Sequence, residues 1–394
     1  MIASIRSKIN RGERLTSNEG VWLLKNAEIL DLAELAETVR FRLNPKRRVT
    51  FVIDSNPNYT NICNIDCIFC AFYRHEGDSD AYTIPVDDLI AKFKSSATRG
   101  VRTILLQGGV NPAIPFEYYK ELVRRTRAEV PEIHPHFFST SEIIGMSEVS
   151  GLSIPQVLKE LHEAGLDSIP GGGAEILNDR VKKKISSKKG TSADWLNVMR
   201  EAHKLGMKST ATMMYGHLET DEDVIEHLES IRALQDEYQG FTAFIPWSFK
   251  PGNTPLEKII PTYATSTRYL QMIAISRIFL DNFPHIQASW FSEGKKTGQI
   301  ALHFGADDFG GTLEEENVHA SANFVHTTTT KEAVDLIRES GFTPTERTTL
   351  YDIIAEYGEG EYPVSVLDPA RLDVHMTAES VMKNVLTTSL PILQ

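Results

Sequence analysis

The chain predicts an α/β fold, a (β/α)8 TIM-type barrel with a partial six-stranded barrel as the alternative, carrying a helical N-terminal extension and a C-terminal tail. Three observations predict it. Apolar runs rich in β-branched and aromatic residues alternate, about eight times, with helical patterns that carry start and stop signals. Each run ends in a polar or glycine cluster, where a barrel displays its functional groups. The repeat count, about eight, favours a barrel where the length alone, 394 residues, would hold either one large barrel or two ordinary domains, each with a substantial core.

Residues 1–46 read as helical, with Leu32, Leu35, Ala36 and Val39 on one helical face and Pro45 closing the segment. The barrel is expected over 47–355. Its first strand is 49–53, and a loop containing every cysteine follows. Further strands are expected at 103–106, 133–138, 168–169, 209–215, 241–249, 286–290 and near Leu302 to Phe304. Ser192 is placed to cap the helix holding Trp195, Val198, Met199 and Ala202, and Thr220 precedes the acidic turn Asp221, Glu222 and Asp223. Residues 356–394 form the C-terminal extension, marked by Gly358, Gly360, Pro363 and Pro369.

Composition narrows the function classes. Hydrophobic residues at 41% and charged residues at 24% describe a soluble globular protein. There is no apolar run of about 18 residues, so no membrane span is expected. The first residues lack the pattern of a signal peptide, which makes a cytoplasmic location the expectation. With 53 acids against 41 bases the formal charge is −12, which argues against nucleic acid or an anionic membrane as partner. A small anionic substrate needs only a local cation or two.

Cys63, Cys67 and Cys70 are the only cysteines, three thiols within eight residues. Thiolates select zinc, copper(I) or iron–sulfur clusters, and three on one loop leave a coordination position open. A structural zinc site wants two ligand pairs. No second pair stands at that spacing, and His75 alone is available as a fourth ligand.

The Cys-x3-Cys-x2-Cys spacing, with Phe69 before the third cysteine, resembles the signature of the radical S-adenosylmethionine (SAM) superfamily. The resemblance implies a [4Fe–4S] cluster on Cys63, Cys67 and Cys70, with SAM on the fourth iron. It further implies one-electron cleavage of SAM to a 5′-deoxyadenosyl radical. Gln107, Gly108 and Gly109 resemble the glycine motif at the methionine end of the cofactor, with Val110 where an acid is common. Glu142 resembles the acid that holds the ribose or amino group. Met214 and Gly216, in 214–219, resemble the strand that contacts adenine.

The runs 55–61, 70–74, 171–177, 211–217 and 241–247 resemble the menaquinone-pathway branch, which includes aminofutalosine synthases and cyclic dehypoxanthinyl futalosine synthases, with deazaflavin-forming enzymes as cousins. Segments 287–290, 304–318 and 344–351 resemble the cyclases rather than the synthases, although His319 to Asn323 replace the small residues and glycine usual there. The resemblance implies dehypoxanthine futalosine as substrate. Hydrogen is taken from ribose C4′, and the carbon radical adds to the benzoate ring. An electron donor such as flavodoxin or ferredoxin is implied.

Such a substrate needs hydroxyl acceptors, a base, an aromatic wall and a cation for its carboxylate. Glu175 and Glu219 are candidates for the hydroxyls or the base, and His217 for the base because imidazole titrates near neutrality. Trp247 and Trp290 are candidates for the wall, with Asp307 at the mouth of the last strand. Arg74, Arg277 and Arg347 are the candidate cations, because a guanidinium fork suits a carboxylate. A non-catalytic [4Fe–4S] electron-transfer protein is the alternative from another class.

Overall fold

A computed structural model describes residues 1–363. Most of the extension expected over 356–394 lies outside the described residues. Three helices open the chain, Ile2–Arg11, Ser17–Asn26 and Ile29–Leu43. Gly12 ends the first in a left-handed conformation, and Thr16 with Glu19 forms a reciprocal capping box on the second. Ile5, Ile9, Leu23, Leu32, Leu35 and Val39 join the same hydrophobic core as the strands. Gly20 permits the contact, because a Cβ there would lie 2.9 Å from Ile225.

Eleven strands follow among the described residues: β1 (Arg48–Val52), β2 (Asp54–Ser55), β3 (Thr103–Leu106), β4 (His134–Phe137), β5 (Ser168–Ile169), β6 (Lys208–Tyr215), β7 (Phe241–Ser248), β8 (His285–Ile286), β9 (Asp308–Gly311), β10 (Thr343–Arg347) and β11 (Ile353–Glu356). β2 through β8 form one seven-stranded sheet in chain order, all parallel. A second sheet runs β11-β10-β1-β9. Two links join them. β1 continues into β2 past Ile53, and β9 meets β8 through a Gln287–Asp308 bridge, with Ala288 N–H donating to Asp308 C=O at 2.7 Å. Eight parallel strand positions therefore circle a lumen, with helices outside, as a TIM-type barrel requires.

Alternation along β6 shows which side is which. Met213 and Tyr215 are buried outward, while Thr210 and Thr212 turn inward and bond the backbone of Gly171 at 2.9 and 2.8 Å. No helix among the described residues is long and apolar enough to cross a membrane.

The eighth strand is not where its apolar residues suggest. Leu302 to Phe304 form a turn after the helix Lys295–Ala301, and the strand is Asp308–Gly311. Its composition is dictated by contact: a Cβ on Gly311 would lie 2.0 Å from the Asp54 carboxylate, and one on Gly310 2.2 Å from Gln287. The strand expected over 286–290 is only His285–Ile286, because Trp290 already begins a short helix. The helix expected to start from Ser192 is capped one residue earlier, by Thr191 in a box with Asp194.

The β10–β11 hairpin lies outside the barrel count and was not anticipated. β10 runs parallel to β1, and it carries Arg347 to Asp308.

A candidate active site at the C-terminal rim of the barrel

The cysteine loop leaves β2 and is fastened by backbone bonds to segments that follow three other strands. Gly109 N–H donates to Thr60 C=O at 2.9 Å and Asn64 N–H to Val110 C=O at 3.0 Å; Ile68 receives Leu256 N–H at 2.8 Å and donates to Ile185 C=O at 2.9 Å. These bonds hold the loop across the rim. All three cysteines are free thiols. Burial pushes Cys67 up to about 12 and raises Cys70 as well, so the pocket favours neutral thiols until a positive centre offsets the cost.

Among the described residues no three His, Cys, Asp or Glu side chains close on a point that a single ion could occupy. A cubane cluster takes its thiolate ligands on separate irons, and three cysteines on one loop supply that donor set. His75 faces Asp66 at 2.9 Å on the surface.

Gly108 and Gly109 are glycines because the loop packs directly on them. A Cβ on Gly109 would lie 2.1 Å from Ile62 C=O and 2.9 Å from the Cys63 Cβ; one on Gly108 would lie 2.7 Å from the Tyr59 ring. Gln107 lies against Gly172, which follows β5. Glu142 sits behind this motif and is fully engaged. It accepts from Tyr59 O–H (2.7 Å), Gly108 N–H (3.0 Å), Ser139 N–H (2.7 Å) and Ser139 O–H (2.6 Å). Burial raises its carboxyl to about 7, although those donors pull the other way. The structure thus gives Glu142 a clamp between the cysteine loop and the glycine motif.

Glu175 is placed differently. It has a left-handed backbone, φ 44°, and its own carbonyl accepts Met214 N–H at 2.7 Å, which ties it to the end of β6. One carboxylate oxygen takes the Lys189 ammonium at 2.7 Å; the other, Oε2, is buried without a partner. Lys189 also lies 5.2 Å from the Phe69 ring. Buried Lys182 donates to the carbonyls of Gly173 and Ala174. Neither lysine was anticipated; the signal was the lysine-rich run 182–189 itself.

His217 and Glu219 are brought together, with His217 Nδ1 3.2 Å from the Glu219 carboxylate, but both are engaged with the backbone of the turn. Glu219 accepts Gly216 N–H at 2.6 Å and His217 N–H at 2.9 Å. His217 Nδ1 accepts Leu218 N–H at 2.7 Å, which leaves Nε2–H to donate to Met214 C=O at 2.9 Å. Both ring nitrogens are spent on the turn after β6. Gly216, φ 82°, makes that turn with Ala264 packed against it.

Trp247 ends β7 half-buried, its ring 5.7 Å from that of His319. His319 stacks on Phe291 at 5.3 Å, and its Nδ1 is buried without a partner; burial depresses its pKa to about 3. His319 was noted only as a departure in sequence. Trp290 is fully buried, bonding Gly311 C=O at 3.0 Å and stacking on Phe309.

The three expected arginines all hold protein partners. Arg74 folds its own loop, bonding the carbonyls of Ala71, Phe72 and Tyr73 and the Asp80 carboxylate. Arg277 is buried against Asp307 and the carbonyls of Gly305 and Phe283. Arg347 grips Asp308 at two points, 2.5 and 3.1 Å. Asp307, expected at the mouth, instead precedes β9 and so lies at the opposite end, where it also bonds His285 and Ile286 N–H. The displacement of the eighth strand explains this.

Residues 57–231 match the radical SAM superfamily, and residues 238–358 match the CofH/MqnC C-terminal region. A cyclic dehypoxanthine futalosine synthase of Halalkalibacterium halodurans is 41% identical over 91% of this chain and 97% of its own length. The chain belongs to this radical SAM family. A 5-amino-6-(D-ribitylamino)uracil–L-tyrosine 4-hydroxyphenyl transferase of Methanopyrus kandleri is 40% identical over 78% of this chain and 85% of its own length. An aminodeoxyfutalosine synthase of Thermus thermophilus is 38% identical over 88% and 94%. The fold resembles that of methylornithine synthase (PylB), with a TM-score of 0.67 at 19% identity, covering 86% of this chain and 97% of that one.

The protein is a radical SAM enzyme that uses a [4Fe–4S] cluster and SAM. Cys63, Cys67 and Cys70 are the residues that fit the cluster.

Proposed function

We propose that this radical SAM enzyme cyclises dehypoxanthine futalosine to its cyclic product in menaquinone biosynthesis. The observation that carries the reading is the 41% identity to a relative of that name across 97% of its length, joined to the cyclase-like segments 304–318 and 344–351. When bound, the cluster and SAM supply one-electron chemistry that ends in hydrogen abstraction from a substrate carbon.

The chain's part is positioning and the exclusion of water. The glycine pair and the Glu142 clamp hold the cysteine loop at the rim. Glu175 offers its unpartnered oxygen as an acceptor for a hydroxyl. Trp247 supplies an aromatic face, supported by His319 and Phe291. His319 has a ring nitrogen without a partner, so it can face the substrate in a way that His217, whose nitrogens are spent, cannot.

Anaerobic incubation of the reconstituted enzyme decides the substrate. Turnover of dehypoxanthine futalosine, with none of an enolpyruvyl benzoate, is expected. The reverse result would assign the chain to the synthases.

A further inference from the structure

A lysine-rich strip lies against the cysteine loop of an otherwise acidic chain. Residues 179–190 hold Arg180, Lys182, Lys183, Lys184, Lys188 and Lys189 against one acid, Asp179, while the whole chain carries a formal charge of −12. The strip is fastened to the loop at three points. Ile185 C=O accepts Ile68 N–H at 2.9 Å, Lys188 pairs with Asp66, and Lys189 faces the Phe69 ring. It therefore covers the stretch between the second and third cluster ligands.

The cations divide by direction. Lys182 is turned inward, and Lys189 is largely covered on Glu175. Lys183, Lys184 and Lys188 are exposed, and among the described residues Lys183 and Lys184 have no carboxylate partner. Of the nearby acids, Asp66 is engaged by Lys188 and His75 and Asp80 by Arg74, while Glu257, two residues before Ile259, is exposed next to the exposed Lys258. On the other flank of Ile68, Leu256 N–H bonds its carbonyl, and three residues on Ile259 is 60% exposed. A cationic strip and an exposed aliphatic side chain thus border the outer face of the cluster loop.

We propose that this face, centred on Lys183 and Lys184 and bordered by Ile259, is the docking surface for an acidic one-electron carrier protein that reduces the cluster. Opposite charge steers such a partner through the protein's own negative field, and a small apolar contact gives the encounter a fixed pose. In the step the carrier loses one electron and the cluster gains it; no atom is transferred. The Ile185–Ile68 hydrogen bond gives the electron a short route from the strip to the loop.

The test uses the full chain with its cluster reconstituted and reads 5′-deoxyadenosine formed from SAM without substrate, so it does not depend on which substrate is turned over. Reduced acidic flavodoxin is compared with dithionite, which needs no docking. For Lys183→Glu/Lys184→Glu, the flavodoxin concentration at half-maximal rate is expected to rise about tenfold, and the slowing by added salt seen with the natural chain is expected to flatten. The dithionite rate and the iron content should not change, and Lys183→Arg/Lys184→Arg should behave as the natural chain. An unchanged flavodoxin response overturns the proposal. So does an equal loss with dithionite, or a natural chain that accepts no electrons from flavodoxin.

Discussion

Two buried carboxylate–cation pairs, one near the floor of the barrel and one at its rim, are completed to different degrees. Near the floor, Asp308 takes Arg347 at two points and the Thr50 hydroxyl at 2.6 Å, so both oxygens are satisfied. At the rim, Glu175 gives one oxygen to Lys189 and holds the other, buried, with no donor. An unsatisfied buried acceptor costs about 1–3 kcal/mol. This open acceptor beside the cysteine loop is the one proposed to take a ligand hydroxyl. The floor pair is closed, and the rim pair keeps one oxygen open.

The difference can be broken from either end. Cys67→Ser should abolish 5′-deoxyadenosine formation and reduce bound iron while the urea midpoint of the cluster-free chain stays put; retained cleavage would remove the rim from the chemistry. Asp308→Ala should cost about 3–5 kcal/mol in urea unfolding, because Arg347 is left charged and buried. Adding Arg347→Met should recover most of that loss, and a mild effect of the single change would mean that the floor pair is not structural.

Glu175→Gln keeps an oxygen for Lys189 but leaves its buried ammonium without a counter-charge, so it should cost up to about 3 kcal/mol in unfolding and also raise the KM for substrate or SAM about tenfold, the loss of one charged acceptor. An unchanged KM would make the rim pair as structural as the floor pair. A further effect is in pH. Asp54, Glu142 and Glu316 are each raised by burial to about 7, from ordinary values of 3.8 for Asp and 4.5 for Glu. The folded chain keeps these protons where the unfolded chain has lost them. Their contribution to stability is full below the ordinary values and is lost as pH rises to about 7. Chemical denaturation of the cluster-free chain across this range should show the decline, and Glu142→Gln should reduce it.

Legibility in sequence followed the range of the forces involved. The first six barrel strands stood out because their apolar, β-branched runs are local signals. β9 did not, since Asp308, Gly310 and Gly311 are chosen by contacts with Arg347, Gln287 and Asp54, all distant in the chain. The arginines were read as open forks because their partners could not be seen: Arg277 meets Asp307, and Arg347 meets Asp308, only after folding. The cysteine spacing and the glycine pair were legible because loop chemistry fixes them residue by residue. Lys189 could not be singled out in sequence and His319 stood out only as a departure, since what distinguishes them, a buried acid with a spare oxygen and an aromatic neighbourhood, is assembled from several loops.

The β10–β11 hairpin gives the barrel a direction of traffic. Arg347, buried on Asp308 at the start of β9 and lying 3.9 Å over the Tyr351 ring, sits at the end of the barrel opposite the cysteine loop. If it closes that end to substrates, whatever enters must turn round and leave by the same door. The guest seated deepest then arrives first and departs last, so the kinetics should show a compulsory order in which the outer guest traps the inner one until it has gone.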